Sequence, residues 1–127
     1  MADLLKTASR WLQDQRHQHL TRTVTYRRGS DTVDLAATIG RTKFEVDDSY
    51  GAIERYESRD FLVLAEELIL GGALRLPERG DRIDEAVGTT TYVYEVCAPG
   101  KEPPWRFSDA YRQTLRIHTK LITTTNA

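Results

Sequence analysis

The sequence has a single cysteine, Cys97, in 127 residues. A disulfide framework within the chain is excluded, and a reducing compartment is the simpler assumption. No stretch approaches the ~20 apolar residues that a membrane span requires. Residues 2–12 include Asp3, Lys6 and Arg10 and have no continuous apolar run, so they do not read as a secretory signal. GxGxxG, Walker A, GxSxG and HExxH patterns are all missing. There is also no excess of one charge: the net charge is −1, which argues against a generic DNA-coating protein. These absences point to a soluble intracellular chain with no membrane association, no cofactor and no local catalytic signature.

What is present suits one folded domain. Hydrophobic residues make up 39% and charged residues 29%, a globular balance. A chain of this length buries roughly two-thirds of its unfolded surface, enough for one core without staples. The charges are unevenly spread. Residues 1–30 balance at +4, residues 45–85 at −7 and residues 86–127 at +2. This is either ordinary surface charge or a protomer with opposite charges on two faces, suited to head-to-tail contacts.

Residues 3–16 read as an amphipathic helix. Leu4, Leu5, Ala8, Trp11 and Leu12 fall on one stripe, and Asp3 is placed to cap it. The stripe must be buried either on its own domain or on a neighbouring subunit. After Leu20 the period changes to two. Residues 21–27 and the alternating Val33, Leu35, Ala37 and Ile39 form a hairpin around residues 28–31, with Gly40 ending the second strand. Phe44–Val46 is a short strand. Residues 53–64 are one long strand or two joined near Ser58, and residues 65–68 are a helical turn. Gly71 and Gly72 break the chain. Residues 76–81, Leu-Pro-Glu-Arg-Gly-Asp, form a tight turn. Thr91–Val96 is a strong strand. Residues 98–104 hold three prolines and form an exposed loop. In the last strand, residues 114–122, Leu115, Ile117, Thr119 and Leu121 share one face; Arg116, His118 and Lys120 lie on a polar, solvated one. The prediction is a mainly β fold, a small barrel or sandwich with one N-terminal helix. It divides into a helix (1–19), a β domain (20–122) and a frayed polar tail (123–127).

Candidate chemistry is sparse. Cys97 reads as a small packed side chain rather than a nucleophile, because no base is placed beside it. His17 and His19, two residues apart, do not face each other on a helix and have no third ligand nearby, so no metal site is expected. Glu45, Asp47 and Asp48 lack the spacing of a calcium loop. Arg22, Tyr26, Arg27 and Arg28 interleave basic and aromatic residues as single-strand-binding platforms do. Tyr26 is in step with Val24, however, and is expected to face the core, which argues against nucleic acid as the ligand. Trp105, Arg106 and Phe107 end the proline-rich loop. They either anchor a partner or cover the open end of a barrel.

One feature carries a resemblance. The turn Leu76-Pro77-Glu78-Arg79-Gly80-Asp81-Arg82-Ile83 is followed by a loop and Thr91-Tyr92-Val93-Tyr94-Glu95-Val96, and the chain closes on Thr114-Leu115-Arg116-Ile117-His118. In layout, residues 20–122 resemble the head–tail joining proteins of long-tailed bacteriophages and prophages, also called tail-attachment or head-completion proteins. That resemblance implies a small barrel made in the host cytoplasm and incorporated in the virion. It also implies assembly as a ring at the neck, between portal-side proteins and the tail, with no catalysis. The free chain is then a monomer or weak oligomer. No residue code for such contacts carries over, so the candidate partner contacts are the helix stripe, Trp11 and Leu12, and the loop residues Trp105, Arg106 and Phe107. The alternative is a binding barrel of another kind, OB-like or an enzyme accessory module.

Overall fold

A computed structural model describes residues 4–11, 21–47, 51, 53–99 and 102–126. A helix, α1, covers residues 4–11. Nine strands follow: β1 (Arg22–Arg28), β2 (Asp31–Asp47), β3 (Ile53–Leu64), β4 (Ile69–Leu70), β5 (Ala73–Leu74), β6 (Arg82–Val87), β7 (Thr90–Val96), β8 (Trp105–Phe107) and β9 (Thr114–Asn126). A single 3-10 turn, Ala65–Glu67, follows β3.

The main sheet runs β3-β2-β1-β6-β7-β9, and β3 also pairs with β9. Six antiparallel strands therefore close into a barrel, which removes most of the free edge of an open sheet. β8 adds outside this ring, pairing only with β9. The β1–β2 hairpin turns at Gly29, in the left-handed region at φ 59°, and sets Val24 opposite Leu35 and Tyr26 opposite Val33. Period-two alternation sends Val24, Tyr26, Leu35, Ala37, Phe61, Val63, Ile83, Tyr94, Val96, Leu115 and Ile117 into one buried cluster.

Four expectations are corrected. Gly40 does not end β2, which continues through residues 44–46 to Asp47. The glycine is there for close approach: a Cβ would lie 3.1 Å from Arg116 Nη2 and 3.3 Å from Leu62 Cδ1. Residues 123–126 are not a frayed tail, because β9 pairs Thr123–Asn126 with Thr90–Val93 of β7; threonine suits a pleated strand once a partner edge is present. The proline-rich loop is not wholly exposed, since Pro99 is buried. His118 is buried rather than solvated, because the first half of β9 is covered on both faces.

The turn that carried the resemblance has a definite structural task. Gly80 sits at φ 88°, and its N–H donates to the Val96 carbonyl at 3.1 Å, while Val96 N–H donates to the Asp81 carbonyl at 2.8 Å. Pro77 is buried. The turn is thereby clamped across the end of β7, and Asp81 is delivered to the base of β1.

Candidate functional site

Helix α1 lies against the barrel end where β3 stops and β9 begins. Arg10 Nη2 donates to Glu66 Oε1 at 2.6 Å, and Lys6, Thr7, Arg10 and Trp11 line a shallow depression with Gln113. The half-buried helix positions are Ser9 and Arg10, so a polar edge faces the barrel. The apolar stripe faces away: Leu4 is 69% exposed, Leu5 64% and Trp11 60%. Leu12, His17 and His19 lie outside the described residues.

Trp105 and Phe107 belong to β8, opposite Ile117 and Leu115 of β9. Both rings are half-buried against the core and meet edge to face at 5.1 Å. Arg106, between them, is exposed. Of the loop residues singled out in the sequence, two thus pack against the core and one is exposed.

The basic and aromatic residues of β1 are not a stacking platform. Tyr26 is fully buried and donates its hydroxyl to Asp81 Oδ2. Arg28 donates to the same carboxylate through Nε at 3.0 Å and Nη2 at 2.8 Å, and Glu78 N–H adds a bond at 2.9 Å. Burial, then the hydrogen bond and charge of Asp81, push the Tyr26 phenol far above its usual range. Arg27 Nη2 donates to Asp84 at 2.9 Å, and Arg22 Nη1 to Glu85 at 2.6 Å. Glu85 is buried and also accepts from Arg59 at 2.8 and 2.9 Å; the Arg59 guanidinium stacks over Phe61 and Tyr94 at 5.7 and 5.3 Å.

A further buried polar cluster joins residues far apart in the sequence. Asp60 Oδ1 accepts from Ser58 Oγ at 2.5 Å and His118 Nδ1 at 2.9 Å. Its Oδ2 accepts from Thr42 Oγ1 and from Arg116 Nε at 2.7 Å. Burial alone raises the carboxyl's pKa, but the hydrogen bonds outweigh it and hold the group at about 2. Phe44 packs edge-on against His118, with ring centres 5.3 Å apart. Serine, histidine and aspartate together suggest a nucleophile relay, but the geometry is wrong for one. Ser58 and Asp60 both face Nδ1, and a nitrogen that donates its proton to Asp60 has no lone pair to take one from Ser58. The available clue was that Ser58 and Asp60 share a strand face with Leu62 and Leu64, a face that is buried along its length.

Cys97 is half-buried, its thiol pKa raised first of all by that burial, and its backbone N–H donates to the His118 carbonyl at 3.0 Å. This is the packed role expected of it. Among the described residues, no helix is long and apolar enough to cross a membrane.

No curated protein sequence matches the chain. The family model described as phage head-tail joining protein matches residues 2–126, nearly the full length, on the same barrel whose clamped Pro77–Asp81 turn carried the resemblance; the chain belongs to the phage head-tail joining proteins.

Proposed function

We propose that this chain is a structural, non-catalytic component of the phage neck that assembles as a ring between the portal side of the capsid and the tail, in contact with other neck or tail proteins. The observation that carries this reading is the helix stripe. A closed barrel has spent its core residues inside, yet Leu4, Leu5 and Trp11 stay uncovered on a helix held by polar contacts. Clustered exposed apolar side chains of this kind mark interaction sites. Trp11 on the helix, Leu12 next to it in sequence, and Arg106 with the outer edges of Trp105 and Phe107, are the proposed partner contacts. The buried clusters around Asp60, Asp81 and Glu85 serve the scaffold.

The test is complementation of a phage from which the gene has been deleted, with joined particles counted by electron microscopy. Wild-type protein should restore joining. Trp11→Ala combined with Leu5→Ala should leave separate heads and tails while unfolding within ~0.5 kcal/mol of wild type, as surface substitutions do. Normal joining by the double variant, or by particles lacking the protein, would overturn the proposal.

A further inference from the structure

Barrel closure is incomplete at one place. β3 and β9 run side by side from Leu64 opposite Thr114 to Arg59 opposite Thr119. Beyond that point they part. β3 continues through residues 53–58 paired only with β2, and β9 continues through residues 120–126 paired only with β7. β9 also carries one extra residue just past the fork. Val93 faces Thr123 and Tyr94 faces Leu121, so Ile122 is unpaired, and such a bulge bends the strand that contains it. A cavity of about 280 Å³ opens at the fork, with Glu57 and Ser58 on one side, Thr119 and Lys120 on the other, and Cys97, Ala98 and Pro99 completing its lining.

Among the described residues, each arm of the fork presents a row of backbone N–H and C=O groups with no strand beside it. Proteins usually blunt such edges with charge, proline or a covering loop. The β3 edge follows this rule, with Arg55 and Glu57 exposed on it. The β9 edge has one charge, the exposed Lys120 at the fork; from Leu121 to Asn126 there is neither charge nor proline, Leu121 is 51% exposed, and Thr123–Asn126 are exposed. A neutral, threonine-rich edge of this length is a template for another strand.

We infer that the free edge of β9, residues 120–126 of one copy, adds as an antiparallel strand to the free edge of β3, residues 53–58 of a second copy. This rests on the neck-ring reading above and names the contact between its subunits. Two observations choose this pairing. The β3 edge already takes β9 as its antiparallel neighbour over residues 59–64, so the same kind of ladder simply continues. The two edges also differ, which makes the contact head-to-tail; that geometry propagates into a ring, whereas β9 on β9 closes a two-fold dimer.

The test uses the full chain with Cys97→Ala, carrying either Arg55→Cys or Thr123→Cys. Continuing the β3–β9 register sets these two positions opposite each other, where Cβ atoms of paired strands come within reach of a disulfide. Oxidised separately, each protein should remain unlinked; mixed, they should give a disulfide-linked dimer of the two. Leu121→Cys, on the same face, covers a register shifted by two residues away from the stretch that the chain's own β9 occupies. Dimers formed by Thr123→Cys alone would show a two-fold contact and overturn the inference. So would the absence of a mixed dimer, with either partner, at every soluble concentration. Joining by the wild-type protein in the complementation assay would then leave the neck reading standing and remove only this contact.

Discussion

Replacing Asp60 by asparagine tests whether the buried cluster on β3 holds the barrel closed. The carboxylate is fully buried and sits at about 2 instead of the ordinary 3.8. At ~1.4 kcal/mol per pKa unit, that depression contributes about 2–3 kcal/mol at neutral pH. Asparagine does more than remove this. It turns one acceptor oxygen into an NH2 group facing donors, and it leaves the Arg116 guanidinium without its anion. Breaking a buried pair from one side costs about 3–5 kcal/mol. Arg116 keeps 20% of its side chain in solvent and a bond to the Arg41 carbonyl at 3.0 Å, which argues for the low end. A loss of ~3 kcal/mol, against an unfolding entropy of ~2.1 cal/mol/K per residue, lowers Tm by about 11 °C. The sign with pH is fixed by the depressed pKa. The wild-type carboxylate stabilises the fold above the unfolded-state value and loses that contribution as pH falls toward 2, whereas asparagine does not titrate. Calorimetry from pH 7 to pH 3 should therefore show the Tm gap between the two proteins narrowing. A gap under ~2 °C at pH 7, or one that stays constant down to pH 3, would refute the reasoning.

Gly40→Ala should destabilise by ~1 kcal/mol, because the new Cβ crowds Leu62 and an Arg116 side chain pinned by Asp60 and Arg41; in an Arg116→Ala background the penalty should shrink to the part due to Leu62, as a double-mutant cycle by urea unfolding would read. Tyr26 should stay un-ionised in the folded protein after ordinary tyrosines titrate, so native stability should fall as pH rises above ~10, where unfolded tyrosine ionises. Absorbance titration of the native protein should be unchanged by Tyr26→Phe, while the unfolded protein loses one of its six tyrosine steps. Trp105→Ala should cost about 2–3 kcal/mol in chemical denaturation, since its half-buried ring packs on Phe107 and the core; a loss under ~0.5 kcal/mol would instead make Trp105 a dedicated partner anchor.

Where one face of a strand is dry and the other wet, the sequence told which was which. Val24 and Tyr26 on β1, and Leu35 and Ala37 on β2, follow simple alternation, and the turn at Gly29 fixed their register. The turn at Gly80 was equally plain, because proline and a positive-φ glycine leave few alternatives. Alternation misled where both faces are buried. His118 falls between Arg116 and Lys120 in sequence, but β9 packs its first half against β3 and β8, and Phe44 reaches it from a distant hairpin. Gly40 reads as a stop because local sequence cannot show that an arginine 76 residues later needs its space. The candidate contacts divide along the same line. Trp11 lies on a helix whose exposure depends on which edge docks, and Arg10 to Glu66 decided that. Trp105 and Phe107 were drawn to the core because β8 pairs with β9.

The charge pattern has a similar resolution with consequences for assembly. A basic beginning and an acidic middle looked like material for two oppositely charged faces. In the fold, β1 and β6 are adjacent, and the two runs meet there: Arg22 with Glu85, Arg27 with Asp84, Arg28 with Asp81. Strands that pair side by side bring their charges within bonding distance, and this ladder spends them on closing the barrel. The Tyr26–Asp81 bond ties the same seam to the turn shared with the family. The stripe of Leu4, Leu5 and Trp11, and β9 from Leu121 to Asn126, proposed above as contact surfaces, carry no charge. Neighbours held in that way would be matched by shape and backbone hydrogen bonds, which fix orientation through geometry and are screened far less by salt than surface ion pairs are.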